Sequence, residues 1–569
     1  MADDGAPKLK QTLRGFQIFF IVLSAIIGGG IFNQNGEALE LAGPGGMIVA
    51  MIFMGLVTIA MSEGVSEFTQ MFPAPNAIVE YVRTFVDEDL GWVVGIAFWY
   101  TFAAIFAVQN LAAANMSRYW GLAQTWQTIG FYVVAPAIIL AINFVGVWLF
   151  GIIETIGGVL KVCIVFGTSV VLYKIAANEN NGGSHGPIHD GIQNNRKYAA
   201  SHTHAVAYAI PLVAYMYLGV EIIAVTAFEA KRSKDLRLPS QTIAYVVFFL
   251  YFLCTIGEAL NVSWTSDHLP KIYGGVGNRH DNYTAPVNPS STSLPIVAVW
   301  QAGYPKLAGF LNGCLIFSVL SASNTSLYVA SRTLYGMTRE IPETNVVGKC
   351  LKKLSLVVPQ TGVPAAALVI SAISFFWLPF VQLKAGYSVQ DLIAIIAVTG
   401  SVSCLIVWAA LSLAFIRYES WLRKCRKDIA NKYPEFKRNT KNYKAFTLFA
   451  WAQPFPAYFA LAGSLIVFGF ASATWWDTPV SFPKVAVAYA AHIILFSLWV
   501  IFKIINRRWW VKLDPDVSVL VGKLRALEWR KQDEPGILNG EPPRELHLLR
   551  RENPENGDRP TSEYPEFRA

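Results

Sequence analysis

The sequence predicts an all-α integral membrane protein with about twelve transmembrane helices. Three observations predict it. Hydrophobic residues make up 54% of the 569-residue chain and charged residues only 15%. Charge is absent from whole helical lengths, as between Phe16 and Phe32. Apolar tracts able to cross a bilayer recur down the chain, since about 20 helical residues at roughly 1.5 Å each span its core of about 30 Å. A soluble chain of this length would divide into about three or four domains. Composition overrides that expectation and puts most of the protein in lipid.

In order, the spans cover roughly 15–40, 44–72, 91–118, 129–147, 151–176, 206–230, 240–263, 295–337, 362–383, 388–416, 446–474 and 484–505. The eighth exceeds one straight crossing, so its ends must project from the bilayer or tilt. Residues 1–14 form a cytosolic N-terminal segment, 15–505 the transmembrane domain and 506–569 a cytosolic tail. The tail ends charged and Pro-rich, the composition of a disordered segment. No cleavage pattern follows the first span, so no signal peptide is expected.

Orientation follows from lysine and arginine. Residues 417–444 carry ten of them, from Arg417 to Lys444, and the turn Lys231-Arg232-Ser233-Lys234-Asp235-Leu236-Arg237 is also basic. The long polar loops near 177–205 and 263–294 hold only Arg196, Lys197, Lys271 and Arg279. With twelve spans, the basic segments and both termini share one side, the cytosol. The net charge of +8 is therefore a topology signal, scattered among connectors rather than gathered into a nucleic-acid surface. No cysteine falls in an outward loop, so no disulfide framework is expected. His185, His189, His202 and His204 crowd one outward loop, but with no fixed scaffold they read as solvated, not as a metal site. Asn282-Tyr283-Thr284 is a glycosylation pattern in the other outward loop.

Within the first span, Ser24-Ala25-Ile26-Ile27-Gly28-Gly29-Gly30-Ile31-Phe32 breaks an otherwise good helix, because each glycine costs roughly 1 kcal/mol relative to alanine. Close packing against a neighbouring helix is the plain explanation. Three consecutive glycines point in successive directions and make a poor packing stripe. An unwound segment explains them better, with free N–H groups able to hold a carboxylate. Tyr215-Met216-Tyr217-Leu218-Gly219-Val220-Glu221 interrupts the sixth span. If spans one to five and six to ten are two repeats, the breaks occupy corresponding places, the pattern of a transporter's binding site.

A charge at a helix centre costs roughly 2.5–3.5 kcal/mol on insertion scales and needs a partner or a watery cavity. Glu63, Glu67, Glu154, Lys161, Glu221 and Glu258 are the buried candidates. Glu63, Glu67 and Glu154 read as a structural ion-pair network near the cytosolic ends, whereas Lys161 and Glu221 read as functional. Lys161 is expected to face the first and eighth spans near Ser321 and Asn324. Glu258 receives no role.

At these motifs the chain resembles the fungal amino acid permeases of the amino acid–polyamine–organocation superfamily. Ile27-Gly28-Gly29-Gly30-Ile31-Phe32, Gly36-Glu37-Ala38-Leu39 and Gly43-Pro44 match the family's first-helix pattern. Asn143, Gly146, Gly151, Glu154, Lys161 and Val162 match its fifth helix. Glu229-Ala230-Lys231 with Pro239 resembles the turn after the sixth. Ser321 to Tyr328 and Ser331-Arg332-Thr333-Leu334-Tyr335 match the eighth, and Gly362-Val363-Pro364 opens the ninth. The resemblance runs from about Arg14 to Asp516. It departs at Gly29, where many relatives have Thr or Ser, at Arg232-Ser233 in place of Asn-Pro, and after the tenth helix, where only Arg417 survives of a longer pattern.

The resemblance implies a LeuT-type inverted 5+5 repeat with discontinuous helices one and six. On matching positions, a substrate carboxylate would meet N–H groups around Gly28, Gly29 and Gly30. The amino group would meet carbonyls near Ala25 and Ile26, and others near Tyr215, Leu218 and Gly219. Tyr215 would cover the side chain and Glu221 would take part in gating. Lys161 matches a lysine proposed to stand in for sodium in proton-coupled relatives. The implied protein is a multi-pass plasma-membrane permease importing amino acids with protons, with no cofactor beyond the coupling ion and no metal. One proton falling through about 100 mV and one pH unit supplies roughly 3.7 kcal/mol, enough for concentration by a few hundredfold. A transporter-like nutrient sensor and a carrier of a related amine or inorganic ion are the alternatives. A membrane enzyme is disfavoured, because the connectors hold no metal-ligand cluster, nucleophile elbow or phosphate loop. The sequence sets no oligomeric state.

Overall fold

In lipid, every backbone N–H and C=O must be satisfied within the protein, which helices and closed barrels achieve. The computed structural model describes residues 9–180, 187–270, 291–339, 341–385, 389–438, 440, 443–471, 482–507 and 509–528. Among these it takes the helical solution, with only an isolated β-bridge between Leu13 and Ala230. Ten helices are long and apolar enough to cross a bilayer among the described residues. The shorter apolar helices Ala365–Val381 and Phe455–Phe470 supply the ninth and eleventh spans and make twelve.

The first span is a helix in two parts, Gly15–Ile26 and the start of Gly30–Met71. The longer piece holds two spans because it breaks at Gly43, φ +69°, followed by Pro44. Glycine reaches that φ at no steric cost, and proline withholds the N–H a continuous helix would use. Carbonyls freed there accept from the loop between the fifth and sixth spans: Gln193 N–H donates to Ala42 O at 2.9 Å and Asn195 N–H to Leu41 O at 3.0 Å. The third span, Glu88–Ser117, is capped by Asp87, whose carboxylate accepts from Leu90 N–H at 2.8 Å. A π-helical stretch, Thr128–Val134, runs into Ala135–Val145 to form the fourth, and Val147–Asn180 forms the fifth. The sixth begins as His202–Ala214 and resumes, beyond its break, as Ile222–Thr226, and the seventh is Arg237–Asn261.

Later spans depart from expectation. The eighth is not one helix over 295–337, although its main piece of 35 residues still exceeds one straight crossing. It divides at Gly303, φ +85°, into the buried helix Leu294–Gln301 and the span Pro305–Arg339. The ninth is split into Ala365–Ser374 and Leu378–Ala385. The tenth continues past 416 to Lys424, and the eleventh starts at Phe455 rather than 446. The twelfth is Phe482–Asn506. Helices outside the spans went unforeseen, among them Ala77–Phe85, Val346–Lys352 and Arg426–Lys432 in connectors and Val517–Leu527 in the tail, which buries Leu520 and Leu524. The end of the tail, His185 and the Asn282 triplet lie outside the described residues.

Beyond an apolar core, large apolar side chains also cover much of the exterior, and charged side chains lie buried inside. Trp148, Phe310, Phe496 and Ile504 are exposed, while Glu154, Lys161, Glu221 and Glu258 are fully buried. So many large apolar side chains on the exterior suit lipid as the solvent. The lysine and arginine distribution predicts that an epitope tag inserted near residue 282 is reached by antibody on intact cells. A tag at residue 430 should require permeabilisation, and the reverse pattern would invert the orientation.

Candidate functional site

The two interrupted spans touch at their breaks. In the first, Ile27 has φ −76° and ψ 86°, inverse γ-turn values, and Gly28 N–H donates back to Ile26 O at 2.9 Å. In the sixth, Leu218 is extended and Gly219 has φ +113°, a conformation that suits glycine. A Cβ on Gly219 would lie 3.1 Å from Ile26, and one on Gly30 would lie 3.2 Å from the Met216 Cα and 3.3 Å from the Tyr215 ring. A Cβ on Gly28 would meet the Gln109 amide at 2.7 Å and Ala322 at 3.1 Å. Unwinding and close packing, weighed as alternatives from sequence, therefore both hold here.

The polar groups at the breaks follow from this geometry. Where the helix restarts at Gly30, the first N–H groups have no intrahelical acceptor and form the positive end of the helix dipole. This end lies among Gly28, Gly29 and Gly30, the residues assigned to a carboxylate. Neighbouring spans hold the carbonyls on the other side of the turn. Ile26 O accepts from Tyr251 OH at 2.9 Å, Ile27 O from Ser318 Oγ at 3.1 Å, and Ser24 O from Lys161 Nζ at 2.6 Å. Ala25 sits between two of these carbonyls. Tyr251 and Ser318 escaped the sequence reading because hydroxyls on apolar helices give no periodic signal.

Glu221 is fully buried and ties the sixth span to the tenth. Its carboxylate accepts from Gly219 N–H at 3.2 Å, Trp408 Nε1 at 3.0 Å and Cys404 Sγ at 3.3 Å. Trp408 was the available clue: a tryptophan deep in a span, away from the interface such residues favour, needs a partner for its N–H.

Lys161 and Glu154 divide their expected roles differently. Glu154, not Lys161, reaches Ser321 Oγ at 3.2 Å and Asn324 Nδ2 at 2.5 Å, and it accepts from Ser24 Oγ at 2.5 Å. An ionised carboxylate needs donors, which the eighth span supplies, whereas an ammonium needs acceptors, which the opened turn supplies. Glu154 thus lies beside the break of the first span and not in the ion-pair network expected of it. That network exists around Glu67, which pairs with Arg438, which in turn holds Glu419 at 2.8 Å. Glu63 accepts from Tyr245 OH at 2.7 Å and Phe449 N–H at 2.8 Å instead of from a cation.

Near the start of the first span, contacts tie it to the end of the sixth and tie the sixth to the eighth. Leu13 N–H donates to Glu229 O at 3.0 Å and its carbonyl accepts from Lys231 N–H at 2.6 Å. The Glu229 carboxylate pairs with Arg332 at 3.2 Å, both buried, and the guanidinium lies 4.2 Å from the Tyr328 ring centre. Tyr328 also donates to Glu229 and stacks on Phe150 at 4.3 Å. Removing one partner of a buried pair strands the other charge at a cost of about 3–5 kcal/mol. Arg332→Ala should accordingly lower the thermal midpoint of the detergent-solubilised protein, and an unchanged midpoint would show that the pair is solvated.

Comparison with known proteins adds the following. The amino acid permease family model matches residues 17–518. A lysine/arginine permease of Candida albicans is 24% identical over 88% of this chain and 81% of its own length. A dicarboxylic amino acid permease of Saccharomyces cerevisiae is 23% identical over 82% of this chain and 72% of its own. Among solved structures, a manganese transporter of Eremococcus coleocola superposes with a TM-score of 0.50 at 11% identity, covering 92% of this chain and 99% of its own. That likeness concerns architecture alone.

Proposed function

This chain belongs to the amino acid permease family, and from that premise we propose a secondary active transporter that imports amino acids or close derivatives together with protons. The observation that carries the reading is the Lys161 ammonium on the Ser24 carbonyl, two residues before the turn at Ile26 and Ile27. The same break offers N–H groups to a carboxylate and lies against Tyr215 and Gly219 of the second break. A zwitterion has both charges that such a crossing favours.

Alternating access then has a physical switch. A protonated Lys161 holds the inner half of the first span through Ser24. Loss of that proton to the cytosol removes the charge and weakens the hold, so the inner half can swing and the leucine bridge at Leu13 can part. Glu221 is bound to the turn of the sixth span and to Trp408, and would transmit the closure around substrate to the tenth span. Tyr215 would cover the substrate side chain. We place the protein in the plasma membrane with both termini cytosolic, in keeping with its charge distribution, and with no cofactor beyond the coupling proton.

The side-chain class stays open in this reading, because relatives named for cationic and for dicarboxylic amino acids match at nearly the same identity. A binding panel tests the proposal. Purified protein titrated with the common amino acids should be thermally stabilised by at least one of them. It should not be stabilised by the corresponding amino alcohol, which lacks the carboxylate. Stabilisation by none of the panel would favour a related amine or inorganic ion instead.

A further inference from the structure

Glu258 has no part in this mechanism, yet it is a fully buried carboxyl in the seventh span, toward the end that the proposed orientation puts outside. Its partners are neutral. Asn35 Nδ2 donates to Glu258 Oε2 at 2.5 Å and also contacts Thr255 Oγ1 at 3.0 Å, while Cys254 Sγ lies 3.7 Å from Oε1. Among the described residues no lysine, arginine or histidine reaches Glu258. The other titratable groups of the packed elements have separate engagements. Tyr173 of the fifth span donates to Leu253 O, Tyr251 donates to Ile26 O, and Glu37 and Glu40 of the first span have contacts of their own. The adjoining helix Leu294–Gln301 carries no charged residue. An ionised Glu258 would stand in an apolar interior without a countercharge, a costly arrangement.

The second observation is Asn35. It is fully buried and its Oδ1 has no donor, although its Nδ2 is engaged. A carboxylic acid and a primary amide make a two-bond pair, in which the amide N–H serves the acid carbonyl and the acid O–H serves the amide oxygen. Only the first bond can form while the carboxyl is ionised. A proton on Glu258 would supply the missing donor and remove the uncompensated charge together. A metal cation fits less well, because the amide presents N–H to the carboxylate, and N–H groups repel a cation.

We propose that Glu258, paired with Asn35 beside Thr255, is a second proton-binding site, loaded from outside and separate from Lys161. The proton is carried in with substrate: it bonds to the Glu258 carboxylate facing out and leaves from the same oxygen facing in, with no other bond changed. This rests on the permease reading, and the test keeps the two apart. In proteoliposomes, the reversal potential of substrate-driven current gives protons per amino acid. Glu258→Gln, close to isosteric and unable to ionise, should bind substrate normally but move one proton fewer. Its limiting accumulation under a pH gradient alone should fall about tenfold per pH unit. The parent's stoichiometry in Glu258→Gln would overturn the proposal. So would a parent flux that needs sodium over choline and loses that need in Glu258→Gln, since the ligand would then be sodium. If the parent carries no amino acid, the permease reading fails while the site is still readable by difference infrared spectroscopy. The parent should lose a protonated-carboxyl band on alkalinisation that is shifted in Asn35→Ala and missing in Glu258→Gln. A spectrum with no such band overturns the proposal even if Glu258→Gln does not fold.

Discussion

Lys161→Ala is expected to bind substrate, more weakly than the parent, and to lose the accumulation that its proton drives. Under about 100 mV and one pH unit that loss is up to a few hundredfold. The reason is the charge on the Ser24 carbonyl. The Lys161 amine donates to that carbonyl, and in the proposed mechanism it holds the first span only while protonated. Alanine leaves the span without that condition, so its movement no longer waits for a proton. Exchange of labelled for unlabelled substrate should persist, because exchange moves no net proton through this site. Glu154 keeps its bonds to Ser321 and Asn324 and to Ser24, so the fifth span remains joined to the eighth and the first in the variant. Accumulation at the parent's level with the parent's pH dependence would leave Lys161 a structural charge.

Gly29→Leu should abolish binding while leaving insertion and folding largely intact. Gly29 has φ −74° and ψ −14°, values any residue adopts, so the substitution carries no backbone strain. Its effect is steric, at the helix start where the carboxylate would meet N–H groups. Hydrogen bonds to a charged group contribute about 1.5–3 kcal/mol each, so losing two weakens binding by roughly a hundredfold or more. Gly28 and Gly30 are poorer probes, because a Cβ at Gly28 would displace the Gln109 amide and one at Gly30 would press on the backbone of Met216. Equilibrium binding to the purified variant reads the outcome, and unchanged affinity would remove the glycine run from the site.

The breaks were legible because glycine is conspicuous where helix is otherwise favoured, as at Gly28 to Gly30 and Gly219. The spans were legible because lipid demands long apolar helices. What stayed hidden was rotation. A helix apolar on all sides has no periodic stripe to say which way a residue faces, so Lys161 was rightly turned toward the first span but given the Ser321 and Asn324 neighbours that belong to Glu154. Tyr251, Ser318, Cys404 and Trp408 went unseen for the same reason. The division of the eighth span at Gly303 was missed because the tract stays apolar on both sides of it. Val517–Leu527 was hidden because a short amphipathic helix looks like tail until the surface it packs against is known.

Transport itself is most directly tested by filling liposomes that hold the purified protein with neutral buffer and diluting them into acidic medium with a labelled amino acid. Uphill accumulation of at least one amino acid is predicted, without sodium or ATP, and it should collapse to equilibration when a protonophore is added. Uptake of none of them, or equilibration that is the same with and without the gradient, would contradict proton-driven amino acid transport.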